Sequence, residues 1–189
     1  LIIEGTNIGR PLTPIRTDDA YKIIERLFEK DKITFAALHE LDIESLLLIS
    51  SVVSSQEKYP LLASPRLTKV LEALIPNTPK LQHALKSVKA LEEEVKHSTI
   101  FSKTSINDIK QEPAKYCIIT DVTRLDENLR KFEPLSQNLV MAPVILMISE
   151  PSDEEAVFDM ERLIRWLNLS GLQPYDVRIS GHYHPYELK

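Results

Sequence analysis

The histidines His182 and His184 could do chemistry, because the spacing H-x-H can place two imidazoles on one metal ion. No second cluster of His, Asp and Cys supplies further ligands, so the sequence predicts no metal ion held by this chain alone. A hydrolase triad of Ser180, His182 and Asp176 can also be written, but the chain lacks the G-x-S-x-G elbow. The triad is therefore disfavoured, and His184, which precedes Pro185, has the features of an exposed turn residue.

Polar residues after predicted strands are a second group of candidates, because ligands of open α/β sheets bind beyond the carboxyl ends of strands. Turn formation also explains these residue types, since Gly and Asn tolerate positive φ while Ser and Thr close the chain locally. Each such segment is thus either a turn or part of a site at one edge of the sheet. The four segments are Glu4-Gly5-Thr6-Asn7, Ala37-Leu38-His39-Glu40, Ser149-Glu150-Pro151 and Ser180-Gly181-His182.

Composition excludes several classes of protein. The four glycines form neither G-x-G-x-x-G nor G-x-x-x-x-G-K-[ST], so the usual dinucleotide fingerprint and the P-loop are absent. The single cysteine, Cys117, excludes an internal disulfide framework, and no apolar run approaches the roughly 18 residues of a membrane span. With a net charge of -5, the chain weakly repels a phosphate backbone, so a nucleic-acid partner needs a local basic patch. We expect a soluble, cytoplasmic protein.

Short apolar or β-branched runs alternate with stretches of 3.6-residue periodicity, a pattern typical of parallel strands connected by helices. Several strands are apolar on successive residues and so need cover on both sides. The 189 residues therefore predict an α/β domain with a mostly parallel sheet and helices on both faces. Strands are expected near residues 1–3, 33–37, 60–63, 116–120, 143–149 and 175–179, and the clearest helices near residues 17–30, 43–53, 65–75 and 153–170.

The middle of the chain predicts a long helix followed by a loop. Thr78-Pro79 is a helix start signal, and apolar residues through Val95 form a narrow stripe flanked by charges. This pattern predicts one long, mostly solvated helix. Residues 97–112 are polar and lack clear periodicity, so we expect a surface excursion there.

Short motifs at both ends of the chain, and one around the last predicted helix, are similar to motifs of a known family. They are Leu1-Ile2-Ile3-Glu4-Gly5-Thr6-Asn7, then Ser149-Glu150-Pro151 followed by Glu161-Arg162-Leu163 and Trp166-Leu167, and finally Ser180-Gly181-His182. They look like the "EGT" turn of motif A, the "SEP … ERL … WL" stretch and the "SGH" of motif B. The chain thus resembles the β-CASP region of metallo-β-lactamase-fold ribonucleases, the group that includes RNase J and the cleavage-factor nucleases of messenger-RNA 3′ ends.

The resemblance implies a single, Rossmann-like β-CASP domain over residues 1–189, with residues 1–10 and 176–189 as junctions to a metallo-β-lactamase domain outside this chain. The family holds its zinc pair with an H-x-H-x-D-H cluster and further His and Asp residues, and that cluster is not in this sequence. The resemblance therefore implies zinc in the full-length protein and no cofactor in this chain. The parent would be a metal-dependent ribonuclease, and the chain alone would be inactive. An opening on Leu1 rather than Met fits this expectation of a fragment.

The resemblance also assigns roles to four residues. Glu4 would be a catalytic-site carboxylate that orients a ligand histidine, and His182 would meet the scissile phosphate and help to protonate the leaving oxygen. Ser149 and Ser180 would offer hydroxyls to phosphate oxygens. We therefore expect Glu4 and His182 to lie near each other, beyond the carboxyl ends of parallel strands. The expected partners are single-stranded RNA, the metallo-β-lactamase domain of the same polypeptide and a second copy in a homodimer.

Some positions depart from the family pattern. The second strand of RNase J relatives often ends in Ser-Asn, where this chain has Ala37-Leu38-His39-Glu40, and His184 and Tyr186 are unusual beside motif B. The alternative that the chain belongs to a degenerate, noncatalytic member of the family therefore stays open. So does a non-enzymatic α/β ligand-binding or protein-interaction module, in which the predicted helix from Lys80 to Lys96 would be a partner surface.

Overall fold

The computed structural model describes residues 17–95, 100–148 and 153–177, which form a seven-stranded, all-parallel sheet. The strands are β1 (Thr34–Leu38), β2 (Tyr59–Leu62), β3 (Lys89–Leu91), β4 (Ser102–Thr104), β5 (Tyr116–Asp121), β6 (Pro143–Met147) and β7 (Gln173–Asp176). Their order across the sheet is β4-β3-β2-β5-β1-β6-β7, so β5 lies between β1 and β2. The predicted α/β fold with a parallel sheet is confirmed.

Eight α-helices accompany the sheet within the described ranges. They are α1 (Thr17–Phe28), α2 (Ile43–Ser55), α3 (Pro65–Leu74), α4 (Pro79–Ala84), α5 (Ile106–Gln111), α6 (Leu125–Arg130), α7 (Ser136–Leu139) and α8 (Glu154–Leu169). The strands expected near residues 33, 60, 116, 143 and 175 are present, with bounds that differ by a few residues. The strand expected at residues 1–3 lies outside the described residues.

The two faces of the sheet bury different side chains of the same strands. On β1, Ala36 and Leu38 join one apolar cluster, while Phe35 and Ala37 join the other, as the two-residue period of a strand requires. The first cluster includes buried side chains of α1 to α4, and this side of the sheet is called the α1 face below. The second includes those of α5, α6 and α8, and is called the α8 face. Helices therefore cover both faces, as the apolar strands predict.

The direction of chain travel explains which helices lie on which face. From β1 the chain moves through β2 and β3 towards β4, with α2, α3 and α4 on the α1 face. It then returns through β5 and β6 to β7, and α5, α6 and α8 lie on the α8 face. Right-handed crossovers in opposite directions across one sheet must use opposite faces, and this arrangement satisfies that rule.

Local helix signals position several of these elements. The Ser64 hydroxyl accepts a hydrogen bond from the Leu67 N–H at 3.3 Å, and Pro65 occupies the first position of α3. The Asp153 carboxylate accepts from the Ala156 N–H at 2.8 Å and caps α8. Gly171, with φ of +78°, follows the end of α8, where a left-handed residue reverses the chain towards β7.

The long helix expected from Thr78 to Val95 is wrong. Helix α4 ends at Ala84, and the chain then forms β3, which pairs with β2 on one side and β4 on the other. Ala90 packs on the α1 face and Leu91 on the α8 face, which is the alternation of a strand and not of a helix. Pairing with two neighbouring strands satisfies the backbone of this segment, so tertiary contacts override its helical pattern.

The surface excursion expected at residues 97–112 is also wrong for the described part of that segment. Strand β4 forms the edge of the described sheet, and Ser105 begins α5 with a reciprocal cap in which it pairs with Asp108. Ile109 is fully buried on the α8 face. The segment looked irregular because an edge strand exposes Ser102 and Lys103, and because α5 buries a single side chain.

Cys117 lies in β5, fully buried on the α1 face of the sheet. Burial raises the pKa of its thiol from 9.0 to about 12, because the thiolate would lose its hydration there. The nearby Lys58 ammonium acts in the opposite direction, but its effect is smaller. In the folded protein Cys117 therefore stays protonated at pH values where an exposed thiol ionises.

We expect Cys117 to make the fold sensitive to alkaline pH. The unfolded chain releases the thiol proton near pH 9, whereas the folded chain keeps it until about pH 12, so stability present below pH 9 is lost as the pH rises. The loss reaches at most about 1.4 kcal/mol per pH unit. Urea unfolding at intervals across this range should show a shallower decline for Cys117→Ala than for the unmodified chain. Parallel declines would contradict the prediction.

Candidate functional site

Most of the site residues expected from the sequence fall outside the described part of the chain. Glu4, Ser149, Ser180 and His182 all lie there, so their roles and the expected proximity of Glu4 and His182 stay predictions. Of the other candidates, His39 is exposed in the turn after β1, and its Nδ1 accepts a hydrogen bond from the Leu41 N–H at 3.3 Å. This hydrogen bond closes the turn after β1. A turn is the simpler of the two interpretations of this segment, the other being a part of a binding site.

The start of α1 lies towards the edge of the sheet at which the strands end, here called the carboxyl edge. At the opposite, amino edge, the Lys58 ammonium donates a hydrogen bond of 2.7 Å to the Phe28 carbonyl at the end of α1. Lys58 immediately precedes β2, so this contact fixes the end of α1 beside the start of a strand. The 12 residues of α1 span about 18 Å, and the helix runs back from there towards the carboxyl edge, where Thr17 begins it.

Strand β7 leaves the sheet at the same edge. The Lys30 ammonium, just after α1, donates to Gln173 Oε1 at 3.3 Å and to the Tyr175 hydroxyl, so the end of α1 lies beside the start of β7. Val177, just after β7, is buried in the cluster that includes Ala20 of α1. Because β7 is parallel to the other strands, it ends at the carboxyl edge. The described chain thus starts and finishes towards one edge of the sheet.

The centre of the carboxyl edge has the topology of a ligand crevice. Strand β5 leads to helices on the α8 face, whereas its neighbours β1 and β2 lead to helices on the α1 face. Ligands of open α/β sheets bind at such points, where adjacent connections diverge. Leu38, Asp121 and Met147 stand side by side there, since Leu38 is in register with both of the others.

Asp121 is a buried carboxylate at this point, with 1% of its surface exposed. Its oxygens accept hydrogen bonds from the Thr123 N–H at 3.0 Å and the Thr123 hydroxyl at 2.8 Å. One residue earlier, the Thr120 hydroxyl accepts a hydrogen bond of 2.6 Å from the Asn128 side-chain amide. These bonds turn the chain from β5 into α6, so the described polar groups here have structural partners.

An ion pair spans the end of β5. Glu40 follows β1, Arg66 lies in the first turn of α3 after β2, and β5 runs between the two strands. The Arg66 Nε lies 2.6 Å from Glu40 Oε2, and its Nη2 lies 2.7 Å from Oε1, a two-pronged contact that fixes the plane of the guanidinium. About half of the Arg66 side chain is exposed, and its Nη1 has no hydrogen bond to the described part of the chain. Arg66 can therefore meet an anionic ligand.

A second ion pair holds the ends of β2 and β3. The Lys131 ammonium, just after α6, donates to the Ala63 carbonyl at 3.1 Å and pairs with Glu94, which follows β3. The Glu94 side chain is only 9% exposed and that of Lys131 25% exposed. Each of these two cations is matched by a carboxylate, so the two pairs add no net positive charge to the carboxyl edge.

Of these edge residues, sequence reasoning included only Glu40, in the candidate segment after β1, and it missed Arg66, Glu94, Asp121 and Lys131. Arg66 and Asp121 each follow a recognisable signal, the Ser64-Pro65 helix start and the end of an apolar strand, but nothing local identifies their partners. Glu40 precedes Arg66 by 26 residues and Glu94 precedes Lys131 by 37. The pairing depends on the order of the strands.

The described ranges contain no group of three or more His, Cys, Asp or Glu residues placed to hold a metal ion. They also contain no helix that is long and apolar enough to cross a membrane. No protein-family model matches the chain, and no curated protein matches its sequence. The fold defines a parallel α/β domain in which the connections from neighbouring strands diverge at the carboxyl end of β5.

The two ion pairs should differ in their contribution to stability. Lys131→Met leaves the Glu94 carboxylate nearly buried and unpaired, and we expect it to lower the free energy of unfolding by about 1–3 kcal/mol. Arg66→Met breaks a more exposed pair and should cost about 1 kcal/mol or less. Urea unfolding of both variants measures the difference. Equal losses would show that burial of Glu94 does not set the energy of its pair.

Proposed function

We propose that this chain is the β-CASP region of a zinc-dependent ribonuclease. It closes over the active site of a metallo-β-lactamase domain in the same polypeptide and helps to bind and position single-stranded RNA for phosphodiester hydrolysis. The observation that carries the proposal is that Thr17 and Val177 lie towards the same edge of the sheet. A domain inserted into another needs its two ends on one side, so this geometry supports an inserted unit.

One motif that resembles the family precedes Thr17 in the sequence, and another follows Val177. Glu4-Gly5-Thr6 precedes α1, and Ser180-Gly181-His182 follows Val177 by three residues. Chain segments that continue from one edge of a sheet can contribute to a common site there. The common edge therefore supports a shared role for Glu4 and His182 at the junction between the two domains.

In this role the residues of the chain bind phosphate groups of the RNA and orient a ligand histidine. Glu4 is a fixed anionic acceptor that holds a ligand histidine of the neighbouring domain, and the hydroxyls of Ser149 and Ser180 donate to phosphate oxygens. His182 gives a proton to the leaving oxygen, a role that an imidazole side chain can fill. In the family the zinc pair is held by the H-x-H-x-D-H cluster, so in this proposal the zinc lies in the neighbouring domain, which carries that cluster.

Arg66 extends the binding surface for the RNA backbone along the same edge. Its exposed guanidinium is planar and held by Glu40, so it meets a phosphate with little loss of side-chain freedom. Because these two ion pairs carry no net charge, they attract RNA less strongly than a basic groove would.

The sequence that flanks this chain in its gene is the quickest test. We expect an H-x-H-x-D-H cluster upstream of Leu1, because the zinc pair that activates water in this family needs those ligands. Sequencing the gene around the chain gives the answer. Absence of the cluster would overturn the nuclease proposal and favour a non-enzymatic module.

In the full-length protein, His182→Ala should lower the rate of RNA cleavage by roughly 10²-fold or more, the scale of general acid catalysis, with folding intact. The matched control is His83→Ala, because His83 is exposed on α4 on another part of the fold. Cleavage is measured on a labelled single-stranded oligoribonucleotide, and thermal melting checks the fold. Unchanged cleavage by the His182 variant would contradict the catalytic role of His182 and would leave only the fold as evidence for the proposal.

A further inference from the structure

A cavity of about 230 Å³ opens at the amino edge of the sheet, on the α8 face. It lies where β5, β1 and β6 begin, and these three strands are neighbours in the sheet. Three segments form its walls: the residues before β1, the turn before β5, and α7 with the residue that follows it. Because the central strands fix the positions of all three segments, the cavity is preformed in the fold.

The lining of this cavity combines apolar groups with polar side chains that have no partner. Ile33 is 1% exposed and is the buried apolar residue of the lining. The side chains of Asp31, Gln137 and Asn138 are exposed, and they make no hydrogen bond or ion pair within the part of the chain that the structure describes. One carboxylate and two carboxamides around one cavity are therefore available to a ligand.

The two charged groups of the lining have opposite signs. The Asp31 carboxylate can only accept hydrogen bonds, whereas the Lys32 ammonium can only donate them. Lys32 donates one hydrogen bond of 2.7 Å to the Val140 carbonyl, which leaves it two further N–H groups. The lining therefore has no net charge, but it offers a ligand one anion and one cation on consecutive residues.

Left-handed backbone shapes two walls of the cavity. Asp31 has φ of +50°, and Met141, which follows Val140 in the chain, has φ of +59°. The Met141 N–H donates a hydrogen bond of 2.7 Å to the Gly171 carbonyl, which holds this turn. Aspartate tolerates the left-handed region, but methionine adopts it at a cost in backbone energy, and such costs are typical of ligand sites.

We propose that this cavity binds a free α-amino acid whose side chain ends in a carboxamide, as those of glutamine and asparagine do. The Asp31 carboxylate accepts hydrogen bonds from the ammonium of the ligand, and the Lys32 ammonium donates to its carboxylate. The carboxamide of the ligand pairs with Gln137 and Asn138, because every carboxamide has both donors and an acceptor. The methylene groups of the ligand pack on the apolar part of the lining, which includes Ile33.

The size and charge of the cavity disfavour other ligands. Its volume of about 230 Å³ is below the roughly 300–1,000 Å³ of pockets for drug-sized molecules, so it holds one small molecule and not a peptide. A phosphate group would lie beside the Asp31 carboxylate, whose like charge opposes it. Solvent reaches both charges of the lining, so the ligand binds reversibly, at millimolar concentrations. Binding at the amino edge needs no nuclease activity and stands or falls separately from the ribonuclease proposal.

Titration of the ¹⁵N-labelled 189-residue chain with L-glutamine, followed by NMR, is the first test. We expect saturable shifts of the backbone amide signals of Asp31, Lys32, Ala114 and Asn138, since these residues line the cavity. L-asparagine should shift the same signals. Absence of a saturable shift with both amino acids overturns the proposal, as does a response confined to other parts of the chain.

An analogue of L-glutamine without its ammonium tests the pairing with Asp31. This compound, 4-carbamoylbutanoate, keeps the carboxylate and the carboxamide but offers no cation to Asp31. We expect it to bind roughly tenfold more weakly or worse, the scale of one hydrogen bond between charged groups. Equal affinity of the two compounds would contradict the recognition of an amino acid.

Asp31→Asn makes the complementary change in the protein. Asparagine tolerates positive φ, so this variant removes the charge and keeps the turn. Its affinity for L-glutamine should fall roughly tenfold or more. The matched control is Asp126→Asn, at an exposed position on α6, which should bind as the unmodified chain does. Thermal melting checks that both variants fold. Unchanged binding by the Asp31 variant, or an equal loss in the control, would count against the site.

A larger side chain at position 114 tests the location of the ligand without altering any charge. Ala114→Leu fills part of the cavity and should abolish the shifts that L-glutamine causes. Ala84→Leu, at the exposed end of α4, should leave them unchanged. Thermal melting again checks the fold of both variants. A chain that still binds L-glutamine with the cavity filled would show that the ligand lies elsewhere and would overturn the proposal.

Discussion

Strands β5, β1 and β6 are buried along their whole length, and the sheet holds together only if apolar side chains cover both of its faces at once. On the α8 face, Phe35 packs edge-on against Phe132 with ring centroids 5.6 Å apart. On the α1 face, Cys117 and Ile119 of β5 are covered by the other group of helices. Because both layers fix the register of these strands, they also align the ends of the strands at the carboxyl edge.

The amino edge of the sheet has a different construction, in which lysines anchor elements to each other. The Lys58 ammonium binds the Phe28 carbonyl and lies 5.5 Å from the centre of the Phe28 ring, and burial lowers its pKa. The Lys89 ammonium lies 3.7 Å from the centre of the Tyr59 ring. These contacts hold α1, β2 and β3 together, so the amino edge is stiffened while the loops at the carboxyl edge carry the exposed polar groups.

The fold class could be predicted because the central strands are apolar on successive residues, which few structures other than a parallel sheet require. Strands β3 and β4 could not be predicted, because three residues are too few to show a period and Leu91 fits a helical stripe as well as a strand. Caps such as Ser64 and Asp153 are local and were predictable. The pairs Glu40–Arg66 and Glu94–Lys131 were not, since they exist only once the strands are ordered. The expected site residues come from a family resemblance and lie outside the described ranges.

The position of β5 imposes an order on assembly during synthesis. Strands β1 and β2 are made first, but a whole strand separates them in the finished sheet, so they have no hydrogen bonds to offer one another. Until Tyr116–Asp121 leaves the ribosome, the first half of the chain has its apolar strands without their shared neighbour. Such late, long-range pairing slows folding and leaves aggregation-prone strands exposed. A nascent chain stalled before β5 would therefore be a natural client for chaperones.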